Sequence, residues 1–232
     1  MQNVSKYEEY LDGVPLNEDS QLLEGKCTPE GTRRFVERAL KNDIPSRNFR
    51  KPILEGQEFL NLSTVGLGTY LGLPDDATDF DVYNAAKLLV LSGGVNVLDT
   101  AINYRCQKGE RSLGAAIKTM VQKHGVSRDE LFIATKNGYI PDDADKGKSA
   151  AMLIQELIEE EKITKEDVAA EIHSMHPNFL EHQLQCSKTN LGLQTIDLMY
   201  LHNAYESWSH FLSHEEFMDK LAKAFEFFEQ KR

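Results

Sequence analysis

From Leu62 onward the apolar positions alternate between two rhythms. Short apolar runs give way to stretches in which apolar residues recur at helical spacing, and then the runs return. The first pattern predicts buried strands and the second amphipathic helices. Strand Leu62–Gly68 leads to helix Asp79–Ser92, capped by Thr78 and stopped by Gly93-Gly94. Strand Val95–Asp99, helix Gly109–Lys123 and strand Leu131–Lys136 follow. A long connection then carries a Lys146-Gly147-Lys148-Ser149 turn, an acidic helix from Ala150 to Glu161 and a short helix from Thr164 to His173. Helix Pro177–Leu191, closed by Gly192, strand Thr195–His202 and helix His214–Lys231 complete the order. Residues 1–58 show no clean period beyond a helix at Pro29–Lys41 behind the N-cap candidate Thr28. The expected division is an N-terminal extension, 1–58, and a regular domain, 59–232.

Four successive βα units predict an α/β fold with a parallel sheet and right-handed crossovers. The two large forms of such a sheet are an open doubly wound sheet and a closed (β/α)8 barrel, and four strands are half of what the barrel needs. The loop Gly66-Leu67-Gly68-Thr69-Tyr70-Leu71-Gly72 invites a dinucleotide fingerprint but departs from it. Leu71 stands where the third glycine belongs, and Pro74-Asp75-Asp76 separates the loop from its helix. Its glycines read better as a tight turn with close backbone approach.

Composition narrows the class. The chain has 232 residues, 41% hydrophobic and 27% charged, as an ordinary globular protein does. It contains no apolar run long enough to span a membrane, and its first residues lack the basic start and apolar stretch of a secretory signal. Cys27, Cys106 and Cys186 are odd in number and widely spaced, which points to a reducing, cytoplasmic compartment. A net charge of −11 repels nucleic acid while leaving room for a small phosphate-bearing ligand.

Three of the predicted strands end on residues able to do proton chemistry: Asp99, Lys136 and His202. Tyr104 lies five residues beyond Asp99. The C-terminal rim of a parallel sheet is where α/β proteins place their chemistry. Taken singly, each residue has an ordinary reading as a turn cap, half-buried packing, a solvated cation or a satisfied core histidine. Three independent strands ending this way are harder to explain. A free tyrosine has a pKa of about 10, and an adjacent ammonium stabilises its phenolate; Asp99 can hold that ammonium charged. The set donates a proton to an oxygen becoming negative. With no serine or cysteine nucleophile beside it, it calls for a hydride partner, hence a nicotinamide. His173-x-x-His176 is the only metal-like spacing, and it reads as structural because zinc needs more ligands.

Val65-Gly66-Leu67-Gly68-Thr69-Tyr70, Leu98-Asp99-Thr100-Ala101-Ile102-Asn103-Tyr104, Gly109-Glu110-Arg111-Ser112-Leu113-Gly114, Thr135-Lys136 and Asp197-Leu198-Met199-Tyr200-Leu201-His202-Asn203 together resemble the aldo-keto reductases, in matching order and spacing from about Arg47 to Arg232. The resemblance implies a (β/α)8 TIM barrel, here four βα units of it, reducing small aldehydes or ketones, or oxidising alcohols, with NADP(H) or NAD(H). It implies Tyr104 as general acid, Lys136 with Asp99 as the pair that tunes it, and His202 as the substrate-orienting histidine. It places Gly68, Thr69, Tyr70, Asp99 and Asn203 against the cofactor. Trp208 either lines the substrate pocket or packs at the rim. The family continues through four more strands, whose loops carry most contacts to the adenosine phosphate. The segment from Asp142 to Met175 is longer than a crossover needs, as an extra surface helix pair or part of a specificity loop.

Three functions remain in view. The first is a cytoplasmic NADP-dependent aldo-keto reductase that binds neither nucleic acid nor membrane, its oligomeric state open. The second is a truncated, catalytically silent fragment or cofactor-sensing interaction module of the same fold. The third is an open-sheet dinucleotide protein, against which the defective glycine loop counts.

Overall fold

The computed structural model describes residues 22–50 and 59–232; the rest of the expected N-terminal extension, 1–21 and 51–58, lies outside the described residues. Its elements are α1 (Pro29–Lys41), β1 (Phe49–Arg50), β2 (Leu62–Ser63), β3 (Leu67–Gly68), α2 (Asp76–Leu91), β4 (Val97–Asp99) and α3 (Lys108–Lys123). Then come β5 (Phe132–Asn137), α4 (Ala150–Glu159), α5 (Pro177–Leu191), β6 (Leu198–Leu201), α6 (Ala204–Trp208) and α7 (His214–Gln230). β3, β4, β5 and β6 form a parallel sheet in that spatial order, and β1 pairs antiparallel with β2.

Strand periodicity sorts this sheet into two faces. Leu98, Ile133 and Thr135 lie on one, buried against α2 and α3 in a core that also takes Phe35 of α1, Tyr83, Leu113 and Ile117. Val97, Phe132, Lys136, Leu198 and Tyr200 lie on the other, all of them partly or fully accessible. Among the described residues helices therefore cover one face, whereas a parallel sheet is ordinarily covered on both. A second core, including Leu157, Phe179, Trp208 and Phe227, joins α4, α5, α6 and α7.

The expected strand Leu62–Gly68 divides. The Asn96 side chain accepts from Ser63 N–H at 2.8 Å and donates to Asn61 O at 3.0 Å, pulling Leu62–Ser63 out of the parallel ladder and towards β1. Helix α2 begins earlier than the expected Asp79, because the Asp75 carboxylate, not Thr78, caps it by accepting from Thr78 N–H at 2.8 Å. The expected helix Thr164–His173 is a single 3-10 turn at Lys165–Asp167. Asp167 folds back onto Thr164, and Ala170 and Glu171 take left-handed φ values of 48° and 60°, turning the chain over. Helix α5 follows its local signals, with Pro177 at its first turn and Gly192 left-handed at its end. No described helix is long and apolar enough to cross a membrane.

Candidate active site

Register brings the rim residues together. Asp99 is paired with Ala134, and Lys136 lies two residues further along β5, on the same face; Lys136 is paired in turn with Tyr200, two residues before His202. Asp99, Lys136 and His202 thus share the accessible face at the C-terminal ends of three neighbouring strands. The Lys136 ammonium lies 2.6 Å from Asp99 Oδ1 and donates to Thr100 O at 2.7 Å. The same ammonium sits 4.6 Å from the centroid of the Tyr104 ring, over its face.

Tyr104 stands on a turn built for it. The next three residues, Arg105, Cys106 and Gln107, all adopt left-handed φ values of 50°, 54° and 73°. Such backbone is costly for side-chain-bearing residues and persists where the surroundings over-determine it. Here the buried Arg105 guanidinium supplies the anchor, bonded to Asp79 at 2.6 Å and Ser112 Oγ at 2.8 Å. Gly109 lets α3 come close, since a Cβ there would meet Tyr104 O and Thr69 Oγ1 at 3.1 Å.

The His202 ring stands edge-on to Tyr104 at 5.8 Å and to Tyr139 at 4.9 Å. Burial, then the nearby Lys136 charge, hold its pKa below the usual imidazole value, so the ring is neutral near pH 7. Its Nδ1 is buried without a hydrogen-bond partner. Asn203 follows with a left-handed φ of 47° and heads α6. Asp99, Lys136, Tyr200, Leu201, His202 and Asn203 line a cavity of about 350 Å³. A larger one, about 740 Å³, lies between α3 and α5 beside Gln107, Arg111 and Cys186; no rim residue lines it, so its size does not make it the site.

The residues expected at the cofactor differ in what they expose. A Cβ on Gly68 would meet nothing within 4 Å, so the end of β3 is open. Thr69 is buried, its hydroxyl 2.7 Å from that of Thr100. Tyr70 is exposed and packs edge-on against Tyr104 at 5.0 Å. Trp208 is buried and takes the packing role, its indole N–H donating to His173 Nδ1. His176 caps α5, accepting from Asn178 N–H at 3.3 Å. Among the described residues no group of three or more ligating side chains is placed to hold a metal ion.

Glu110 lies outside the set of residues expected at the site. Its fully buried carboxyl accepts from Thr135 Oγ1 at 2.7 Å and Asn190 Nδ2 at 2.9 Å, so it ties α3 to α5 and to the residue before Lys136. Burial pushes its pKa up. The signal was present: Glu110, Leu113, Gly114 and Ile117 share the i, i+3, i+4, i+7 stripe of α3, which puts an acid on the apolar face. His173 carried only its spacing to His176, which reads as structural and names no partner.

The Aldo/keto reductase family model matches residues 64–230. Among solved structures, an aldo-keto reductase from Bacillus halodurans in its holo form is similar at 21% identity, over 79% of this chain and 47% of that one, with a TM-score of 0.47. An aldo-keto reductase of the silkworm Bombyx mori is similar at 20% identity, over 77% of this chain and 45% of that one, with a TM-score of 0.46. An aldo-keto reductase complexed with NADPH gives 21% identity, the same two coverages and the same score. The chain spans a little under half the length of these proteins. Because the family model covers well over half of it, the chain belongs to the aldo/keto reductase family, and its four parallel βα units form part of a (β/α)8 barrel.

Proposed function

We propose that this chain carries the proton-transfer half of an NADP(H)-dependent site that interconverts a small aldehyde or ketone with its alcohol. The observation that carries the reading is the Lys136 ammonium, bound to Asp99 at 2.6 Å and lying over the face of Tyr104. The residues present fit the nicotinamide end of the cofactor. Asn203 offers both a donor and an acceptor, which a carboxamide requires, in the same cavity as Asp99, and the end of β3 is open at Gly68. NAD(H) meets the same donors. When bound, the nicotinamide supplies the hydride for the carbonyl carbon. Tyr104 gives its hydroxyl proton to the carbonyl oxygen: one O–H bond breaks on Tyr104 and one forms on the product. The phenolate left behind faces the Lys136 ammonium, which is ion-paired with Asp99, until solvent returns a proton. His202, neutral and edge-on to Tyr104, orients the carbonyl oxygen. In the protein carrying this chain, Tyr104→Phe is expected to lower carbonyl-dependent NADPH oxidation by at least about 100-fold while cofactor affinity is nearly retained. Unchanged turnover overturns the reading.

A second reading, a catalytically silent fragment or cofactor-sensing module of the same fold, is supported by the accessible second face of the sheet. The placement of the chain in the cytoplasm belongs to both readings.

A further inference from the structure

We propose that His173, delivered by the long connection between β5 and α5, is a positioning residue for His202: it grips the His202 backbone carbonyl and so sets the aim of the ring. The proposal rests on the role given to His202 above.

The His173 ring is fully buried. Its Nδ1 lies 3.0 Å from Trp208 Nε1, and its Nε2 lies 2.8 Å from His202 O. An indole N–H only donates, so Nδ1 must accept; a carbonyl only accepts, so Nε2 must carry the proton. Both neighbours therefore select one neutral tautomer, and burial, which lowers the pKa to about 4, keeps the ring neutral. On its other side His202 donates its N–H to Asn137 O at 2.8 Å. The peptide groups flanking the His202 Cα are thus pinned from two elements, and Tyr139 packs edge-on against both imidazoles, at 5.4 Å and 4.9 Å. The connection is locked in register beside them, with Ile140 N–H donating to Ile172 O and Ser174 N–H to Gly138 O.

This gives the long connection a task. A surface helix pair could be shortened at no cost to the site, but a segment whose far end holds His202 could not. Among the described residues the ring has no polar partner besides Trp208 and His202, and it reaches across 29 residues of sequence to the residue at the end of β6.

The test uses the protein labelled with ¹⁵N-histidine, with His202 signals assigned through His202→Gln. Wild-type His173 should show the neutral Nε2–H tautomer. His173→Phe keeps an aromatic ring but neither hydrogen bond, and it should shift the His202 ring resonances and change their tautomer balance. His173→Gln, which keeps a donor and an acceptor, should return them towards wild type. Where carbonyl reduction is measured, His173→Phe should lower kcat by roughly tenfold or more, as small misplacements do, with the KM for NADPH little changed and His173→Gln largely rescuing. A folded His173→Phe whose His202 resonances and kcat equal wild type overturns the proposal. Should His173→Phe fail to fold, Trp208→Phe removes the donor to Nδ1 together with part of a buried ring. His202 signals that shift support the proposal then, and signals that stay put overturn it. Shifted resonances in a protein that reduces no carbonyl support the positioning and sink the reductase reading instead.

Discussion

Gly138 leaves the space that the His173 ring occupies. A Cβ at Gly138 would lie 2.5 Å from His173 Nε2 and 2.9 Å from its Cε1, and the backbone there has a φ of 116°. Clash and conformation both oppose a side chain. Gly138→Ala is expected to cost about 1–3 kcal/mol, read as a lower denaturant midpoint with an unchanged slope. Stability equal to wild type would show that the ring moves aside freely.

The Lys136 ammonium lies over the face of Tyr104, held there by Asp99 and Thr100 O. Lys136→Met keeps an unbranched chain one atom shorter and removes that charge. Turnover is expected to fall by about 100-fold or more, without a matching loss of thermal stability. A Lys136→Met protein with full kcat would remove Lys136 from the mechanism.

Glu110 has its pKa raised by burial, so the folded protein holds this proton to higher pH than the unfolded chain does. Stability linked to it is complete below the ordinary carboxylate range and is lost as pH rises through the raised value. Glu110→Gln removes the titration but can still serve Thr135 and Asn190. Urea unfolding at acidic and at neutral pH should show a flatter stability profile for Glu110→Gln. Parallel profiles for the two proteins would contradict this.

The family resemblance places most contacts to the adenosine phosphate in loops of the later strands. The 232-residue chain, titrated with NADPH and followed by cofactor fluorescence, is therefore expected to bind weakly. Sub-micromolar affinity, better than about −8 kcal/mol, would mean that this half of the site suffices.

What could be read from the chain alone follows the range of the forces involved. Pro177 and Gly192 define α5 because cap preferences act within one turn, and the residues at both ends are the ones those preferences select. Three polar strand ends marked a rim because period-two alternation is local, and the structure lays Asp99, Lys136 and His202 on one face. The helix expected at Thr164–His173 did not form, since Asp167 satisfies Thr164 within a single turn and the chain then reverses at Ala170 and Glu171. Propensity does not weigh a side chain returning to its own cap.

By itself the sequence determined the alternation of strands and helices, the family, and the residue types at the rim, because these depend on periodicity and on neighbours a few positions away. Tertiary structure decided the rest. Asn96 divides a strand by bonding across the sheet, Arg105 anchors the left-handed turn after Tyr104, and Glu110 meets Thr135 of β5 and Asn190 of α5. His173 reaches His202 only because Gly138 has no Cβ to stop it. Each of these depends on atoms far apart in the chain meeting within hydrogen-bond distance, and no local pattern encodes such a meeting.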